Sequence, residues 1–146
     1  DMTRGMFVTF IYAEINLLTY RVRVARAGHN PAYVYRASDD SLQAVQPPGI
    51  ALGMDPTGVL FDKTLRVQNF PLEVGDSLIL YTDGVIEAMD PKGNEYTAER
   101  FADVLKQSHA STPGVMVDSV LKDLKAHTRG AEASDDVTLL VLKRTE

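Results

Sequence analysis

The chain has 146 residues, 45% of them hydrophobic and 24% charged, the balance of one globular domain or a large piece of one. Its formal net charge is -5 and its Lys and Arg residues are scattered, so no basic stripe marks a nucleic-acid partner. There is no cysteine, which excludes disulfides, thiolate zinc sites and cysteine nucleophiles, and no apolar run approaches the roughly 20 residues that span a bilayer.

The first half reads as β-structure. Residues 6–15 are rich in β-branched and aromatic side chains, and residues 20–24 alternate apolar and charged with period 2. The short link at residues 16–18 suits an antiparallel hairpin. A third strand is expected over 32–36, entered through the turn-like Gly28-His29-Asn30-Pro31, and residues 42–45 are expected to pair back after the polar turn at 38–41. Residues 46–58 are broken by glycines and prolines and read as a long loop. A strand is expected over 60–67, a turn over 71–76 and a short buried strand over 77–82.

Two helices follow. Thr97 can cap the first, with Phe101, Val104 and Leu105 on one face. Ser111 or Thr112 can cap the second, with Pro113 early in it, Val117, Val120, Leu121 and Leu124 along one face, and Gly130 as a stop. Residues 137–142 form a last apolar strand, a poor fit to a solvent-facing edge. Strands, then two helices, then a strand that rejoins the sheet make an α+β arrangement, mostly antiparallel.

Chemistry is expected at the strand ends. Asp83 follows the apolar run at 78–82, and Gly84 permits a tight turn or a close backbone approach. Asp135 and Asp136 directly precede the apolar run at 137–142. If the two strands are neighbours, these carboxylates converge at one rim, the oxygen-rich setting that Mg2+ or Mn2+ requires. The same residues also serve as turn and cap residues, and spacing alone favours that plainer role. His29 is a candidate ligand, acid or phosphate donor, or simply part of a polar turn with Asn30. His29, His109 and His127 form no HExxH-like pair. The 49–53 segment lacks a nucleotide-loop pattern. Thr82 and Thr138 would be nucleophiles only beside an activating base. Glu87 and Asp90 read as solvated turn residues.

Five segments in order (5–10, 27–31, 51–53, 72–88 with its Thr82-Asp83-Gly84 core, and 135–141 with its Asp135-Asp136-Val137-Thr138 start) resemble the phosphatase domain of the stage II sporulation protein E family. This is a bacterial branch of the PPM-type, type 2C-like, metal-dependent serine/threonine phosphatases, and the similarity covers essentially the whole chain. The resemblance implies an α-β-β-α sandwich with mostly antiparallel sheets. It also implies two Mn2+ or Mg2+ ions bridged by a water or hydroxide.

Carried over residue by residue, the metal ligands are Asp83 and Asp135, with Asp136 beside them. Gly84, His29 and Asn30 are supporting residues. The implied reaction is hydrolysis of phosphoserine or phosphothreonine on a protein of the anti-sigma-factor-antagonist type in partner switching, with an upstream sensor domain. Nothing in residues 1–146 matches the family's earlier acidic Gly-Asp strand or its Asp-x-x-Gly-His-Gly motif. The expectation is therefore the C-terminal portion of a single domain, weak or inactive alone. The residues 1–5 carry no signal-peptide core, so a cytoplasmic location without membrane contact from this segment is expected. The rival reading is a non-catalytic module of the same fold that binds a phosphoprotein.

Overall fold

A computed structural model describes residues 6–131 and 135–146. The N-terminal residues 1–5, including the first residue of the 5–10 segment, lie outside the described residues. In chain order the elements begin with β1 (Phe10–Asn16), β2 (Arg21–Ala27), β3 (Ala32–Arg36) and β4 (Ser41–Val45). Next come helix α1 (Val59–Thr64), β5 (Val67–Pro71), β6 (Ser77–Tyr81) and the short α2 (Asp83–Ile86). The long helices α3 (Ala98–Ser108) and α4 (Pro113–Thr128) precede β7 (Leu139–Lys143). The class is α+β with two antiparallel sheets.

The chain divides into two compact units, Asp1–Pro31 with Ala44–Leu72, and Ala32–Gln43 with Glu73–Glu146. The first holds a three-stranded sheet in the order β1-β2-β5. In β2 the period-2 pattern does its work: Val22 and Val24 are fully buried while Arg21 and Arg23 face solvent. The β1–β2 link is longer than expected, a turn over 17–20 in which the Asn16 side chain accepts from the Leu18 and Thr19 amides at 2.9 and 3.0 Å. The first strand also starts later than expected. Val8 contributes only an isolated bridge to Leu52.

The strand expected over 60–67 is a helical turn instead. Asp55 explains it: its carboxylate accepts from the Thr57 amide and hydroxyl and from the Leu60 and Phe61 amides, with 2.6 Å to Leu60. That local capping wins over the apolar pattern. The strand begins only at Val67 and runs to Pro71, expected as a turn residue. Proline fits there because β5 is an edge strand.

The second unit is built on the sheet order β4-β3-β6-β7. Two helices cover one face. Phe101 and Leu105 of α3 and Met116, Val120 and Leu124 of α4 pack with Tyr35, Ile79 and Tyr81 into one apolar core. On α4 the buried row is Met116-Val120-Leu124, one step round from the expected stripe, and Leu121 is left 43% exposed. Thr97 and Thr112 cap the two helices as expected, accepting from the Arg100 and Val115 amides. Arg100 forks onto Asp123 at 2.8 and 3.0 Å, tying α3 to α4 and holding the Asp123 carboxyl below the usual range.

The last strand is an edge strand, contrary to expectation, and starts at Leu139. Leu139 and Val141 pack on the helix-covered core, and Leu140 on the opposite face is half exposed. Asp83-Gly84 opens α2 rather than forming a tight turn.

Candidate functional site

Strands β6 and β7 run antiparallel with Tyr81 opposite Leu139, so the end of one and the entry to the other share a rim. Asp83 leaves the first strand there, and Asp135 and Asp136 approach the second. Thr82 extends the pairing past the ladder: its amide donates to the Thr138 carbonyl at 3.0 Å. Its hydroxyl accepts from the Thr138 amide and donates to the Asp136 carbonyl, both at 2.9 Å. With donor and acceptor both engaged, the Thr82 hydroxyl is a clamp between the two acidic segments.

Gly84 closes the rim from the other side. A Cβ at this position would lie 2.5 Å from the Asp136 carbonyl oxygen and 2.9 Å from its carbon, so only glycine admits this approach. Asp83 is half-buried and its Oδ1 accepts from the Gly84 amide at 3.1 Å. Asp135 and Asp136 are exposed, and Asp135 Oδ1 accepts from the Asp136 amide at 2.7 Å. Among the described residues no Lys, Arg or His forms an ion pair with any of the three.

Carboxylate oxygens without basic partners are the donor type that a hard divalent cation takes. Among the described residues, however, no group of three or more His, Cys, Asp or Glu side chains is arranged to hold a metal ion. The rim offers donors without a full coordination set.

His29 and Asn30 belong to the first unit, where they form a turn of their own. Gly28 has φ +67, and a Cβ there would lie 2.6 Å from that of Ala51. Its amide donates to the Gly49 carbonyl at 2.9 Å. Arg26 donates through Nη1 to the His29 carbonyl and through Nε to the Pro47 carbonyl at 3.1 Å. The His29 ring meets the Asn30 carbonyl through Nδ1 at 3.2 Å.

Asp76 carries a role that the sequence did not disclose. Its side chain is 1% exposed. It accepts from Arg36 Nη1 at 2.7 Å and from the Ala37 and Glu73 amides at 2.9 and 3.0 Å. The sequence placed Asp76 only at the end of the turn over 71–76, and its partner lies 40 residues earlier. Glu87 is exposed at the end of α2. Asp90 gathers the Asn94 side-chain amide and the Asn94 and Lys92 backbone amides, which pull its carboxyl down to about 2.

Residues 1–145 match the stage II sporulation protein E (SpoIIE) family. The chain belongs to that family. Among curated relatives it is 30% identical over 150 residues to the phosphoserine phosphatase RsbU of Bacillus subtilis, covering 99% of this chain and 41% of that protein. The SiaA-PP2C domain of Pseudomonas aeruginosa superposes with a TM-score of 0.80 at 19% identity, over 97% of this chain and 54% of that one. The Mn-presoaked SpoIIE phosphatase domain of B. subtilis gives 0.69 at 20% identity, over 93% and 56%. The chain thus spans less than half the length of these curated relatives and a little over half of these two solved chains. At these identities the solved structures establish the shared fold.

Proposed function

We infer that this chain is the C-terminal portion of one metal-dependent protein serine/threonine phosphatase domain, with Asp83, Asp135 and Asp136 as carboxylate ligands for Mn2+ or Mg2+. The observation that carries this reading is the rim itself. Two strand ends locked by Thr82 and Gly84 bring acidic segments together, and among the described residues no basic side chain forms an ion pair with them. A bound divalent cation supplies positive charge for the phosphoryl oxygens and an acidified water. The chain's own residues hold and orient: Asp83 and Asp135 present oxygens, Thr82 fixes their separation, and Gly84 seats the Asp136 main chain.

The substrate is a phosphoserine or phosphothreonine on a regulatory protein of the anti-sigma-factor-antagonist type, under an upstream sensor domain in the same protein. RsbU's name as a phosphoserine phosphatase supports the class. Among the described residues no helix is long and apolar enough to cross a membrane. Because residues 1–146 match neither the family's earlier Gly-Asp strand nor its Asp-x-x-Gly-His-Gly motif, this chain alone is expected to hydrolyse phosphate esters weakly or not at all.

Mn2+ titration and p-nitrophenyl phosphate hydrolysis in the full-length protein test the assignment. Asp83→Asn and Asp135→Asn should each weaken metal binding and reduce hydrolysis by at least about 100-fold, the loss expected for a transition-state electrostatic contact. Retention of both properties in both variants would show that the aspartates serve only as turn and cap residues. Metal binding without turnover would favour the non-catalytic phosphoprotein-binding module.

A further inference from the structure

A cavity of about 200 Å³ opens beside the rim, and its wall includes Gly84 and Asp135. Among the described residues the rest of the lining is mostly apolar. Met89, Leu121 and Val137, each between 38% and 43% exposed, turn toward it, over the nearly buried Leu124. These are three of the large apolar side chains that the second unit leaves exposed, gathered at one place. Lys125 stands at the same wall, and among the described residues no carboxylate pairs with it.

The volume decides what fits. Sites for whole small ligands occupy roughly 300–1,000 Å³, so this cavity suits one or two side chains rather than a nucleotide or cofactor. An apolar floor, one ammonium and a shared wall with Asp135 describe a place for the residue next to a phosphorylated one. Successive residues of an extended peptide are spaced by only about 3.3–3.6 Å, so a chain presenting its phosphate to the rim brings its neighbour to this opening.

The geometry points to a specificity pocket: it accepts an aliphatic side chain flanking the phosphoserine or phosphothreonine of the protein substrate, while Lys125 attracts the anionic group beside it. This rests on the phosphatase reading above and adds a sequence preference to it. The occupant is the phosphoprotein's own substrate segment, because the pocket is continuous with the rim that would hold the scissile phosphate.

The test uses the full-length protein and two fluorescein-labelled phosphoserine peptides, identical except for leucine or serine on both sides of the phosphoserine. The ratio of kcat/KM for the two peptides is expected to be at least about 10 in favour of leucine, as filling one apolar pocket yields. Leu121→Ser should bring that ratio close to 1, and Leu121→Met should restore most of it. Lys125→Gln should raise KM for both peptides several-fold. Fluorescence anisotropy of the same peptides supplies the binding readout.

Turnover of p-nitrophenyl phosphate with no discrimination between the peptides, or discrimination that survives Leu121→Ser, overturns the pocket and leaves the phosphatase reading standing. If no substrate is turned over with Mn2+, that reading fails and anisotropy decides the pocket. Tighter binding of the leucine peptide, lost in Leu121→Ser, upholds it, and equal binding removes it.

Discussion

Gly84→Ala is the sharpest probe of how the rim is built. The added Cβ would sit 2.5 Å from the Asp136 carbonyl oxygen, and ordinary contact begins near 3.4 Å, so the two segments must part by about 0.9 Å. The obstacle is main chain, which cannot swing aside as a side-chain end does. The φ of Gly84 lies outside the left-handed region, so the cost is steric alone. Overpacking of this kind costs about 1–3 kcal/mol. A displacement near 1 Å at a reacting centre lowers rates by about 100-fold.

The assay pairs urea unfolding, where the midpoint should fall with the slope unchanged, with Mn2+-dependent hydrolysis by the full-length protein. Gly114→Ala is the control: nothing lies within 4 Å of its Cβ position in the first turn of α4, so stability should rise by about 0.5 kcal/mol. If Gly84→Ala matched the wild type within about 0.5 kcal/mol and about twofold in rate, the close approach would not be what sets the rim.

Two further outcomes follow from the same geometry. Asp76→Ala breaks a buried ion pair and strips two amides of their acceptor, so it should lose about 3–5 kcal/mol in urea unfolding. Glu73→Ala removes only the exposed 3.8 Å pair with Arg144 and should lose less than about 1 kcal/mol; equal losses would contradict the account of Asp76. For Asp90, a side-chain NMR titration should find the carboxyl at about 2, held down chiefly by the Asn94 side-chain amide. A depressed carboxyl stabilises the fold above its ordinary pKa near 4, and that contribution is lost as pH falls toward 2. Asn94→Ala should move the titration back toward the ordinary value, and an unmoved titration would assign the depression to the backbone amides instead.

What the sequence disclosed follows the range of the forces involved. Thr97 and Thr112 cap helices through contacts three residues away, and the alternation in β2 needs nothing beyond the strand itself. Those features were legible. The helix at Val59–Thr64 was local too, but two local signals competed, and four hydrogen bonds to Asp55 outweighed an apolar pattern that suited a strand. The role of Asp76 was hidden for a different reason: its charge partner, Arg36, lies 40 residues away and is brought near only by the β3–β6 pairing. The edge position of β7 was misread because an unbroken apolar run does not reveal that one face packs under helices and the other does not. The cavity beside Asp135 draws its lining from α4, the segment after α2 and the approach to β7, a juxtaposition no local pattern encodes.

The rim also shows why its two kinds of residue can be separated by mutation. The carboxylates are positioned by main-chain register, through the β6–β7 ladder, the Thr82 hydroxyl and the seat at Gly84, with only a neighbouring backbone amide on Asp83 and on Asp135. Asp83 accepts one local amide bond, which asparagine can also accept through its side-chain oxygen, so Asp83→Asn removes charge while leaving the local geometry in place. Loss of metal affinity in that variant would therefore report a ligand. In Thr82→Val the reverse holds: the charges stay, but the Thr138 amide and the Asp136 carbonyl lose their shared partner and the segments are free to separate. A chain whose aspartates were mere turn residues would respond to the second change in stability and to neither in metal binding. A phosphatase rim responds to both changes in metal binding, and to Thr82→Val in stability as well.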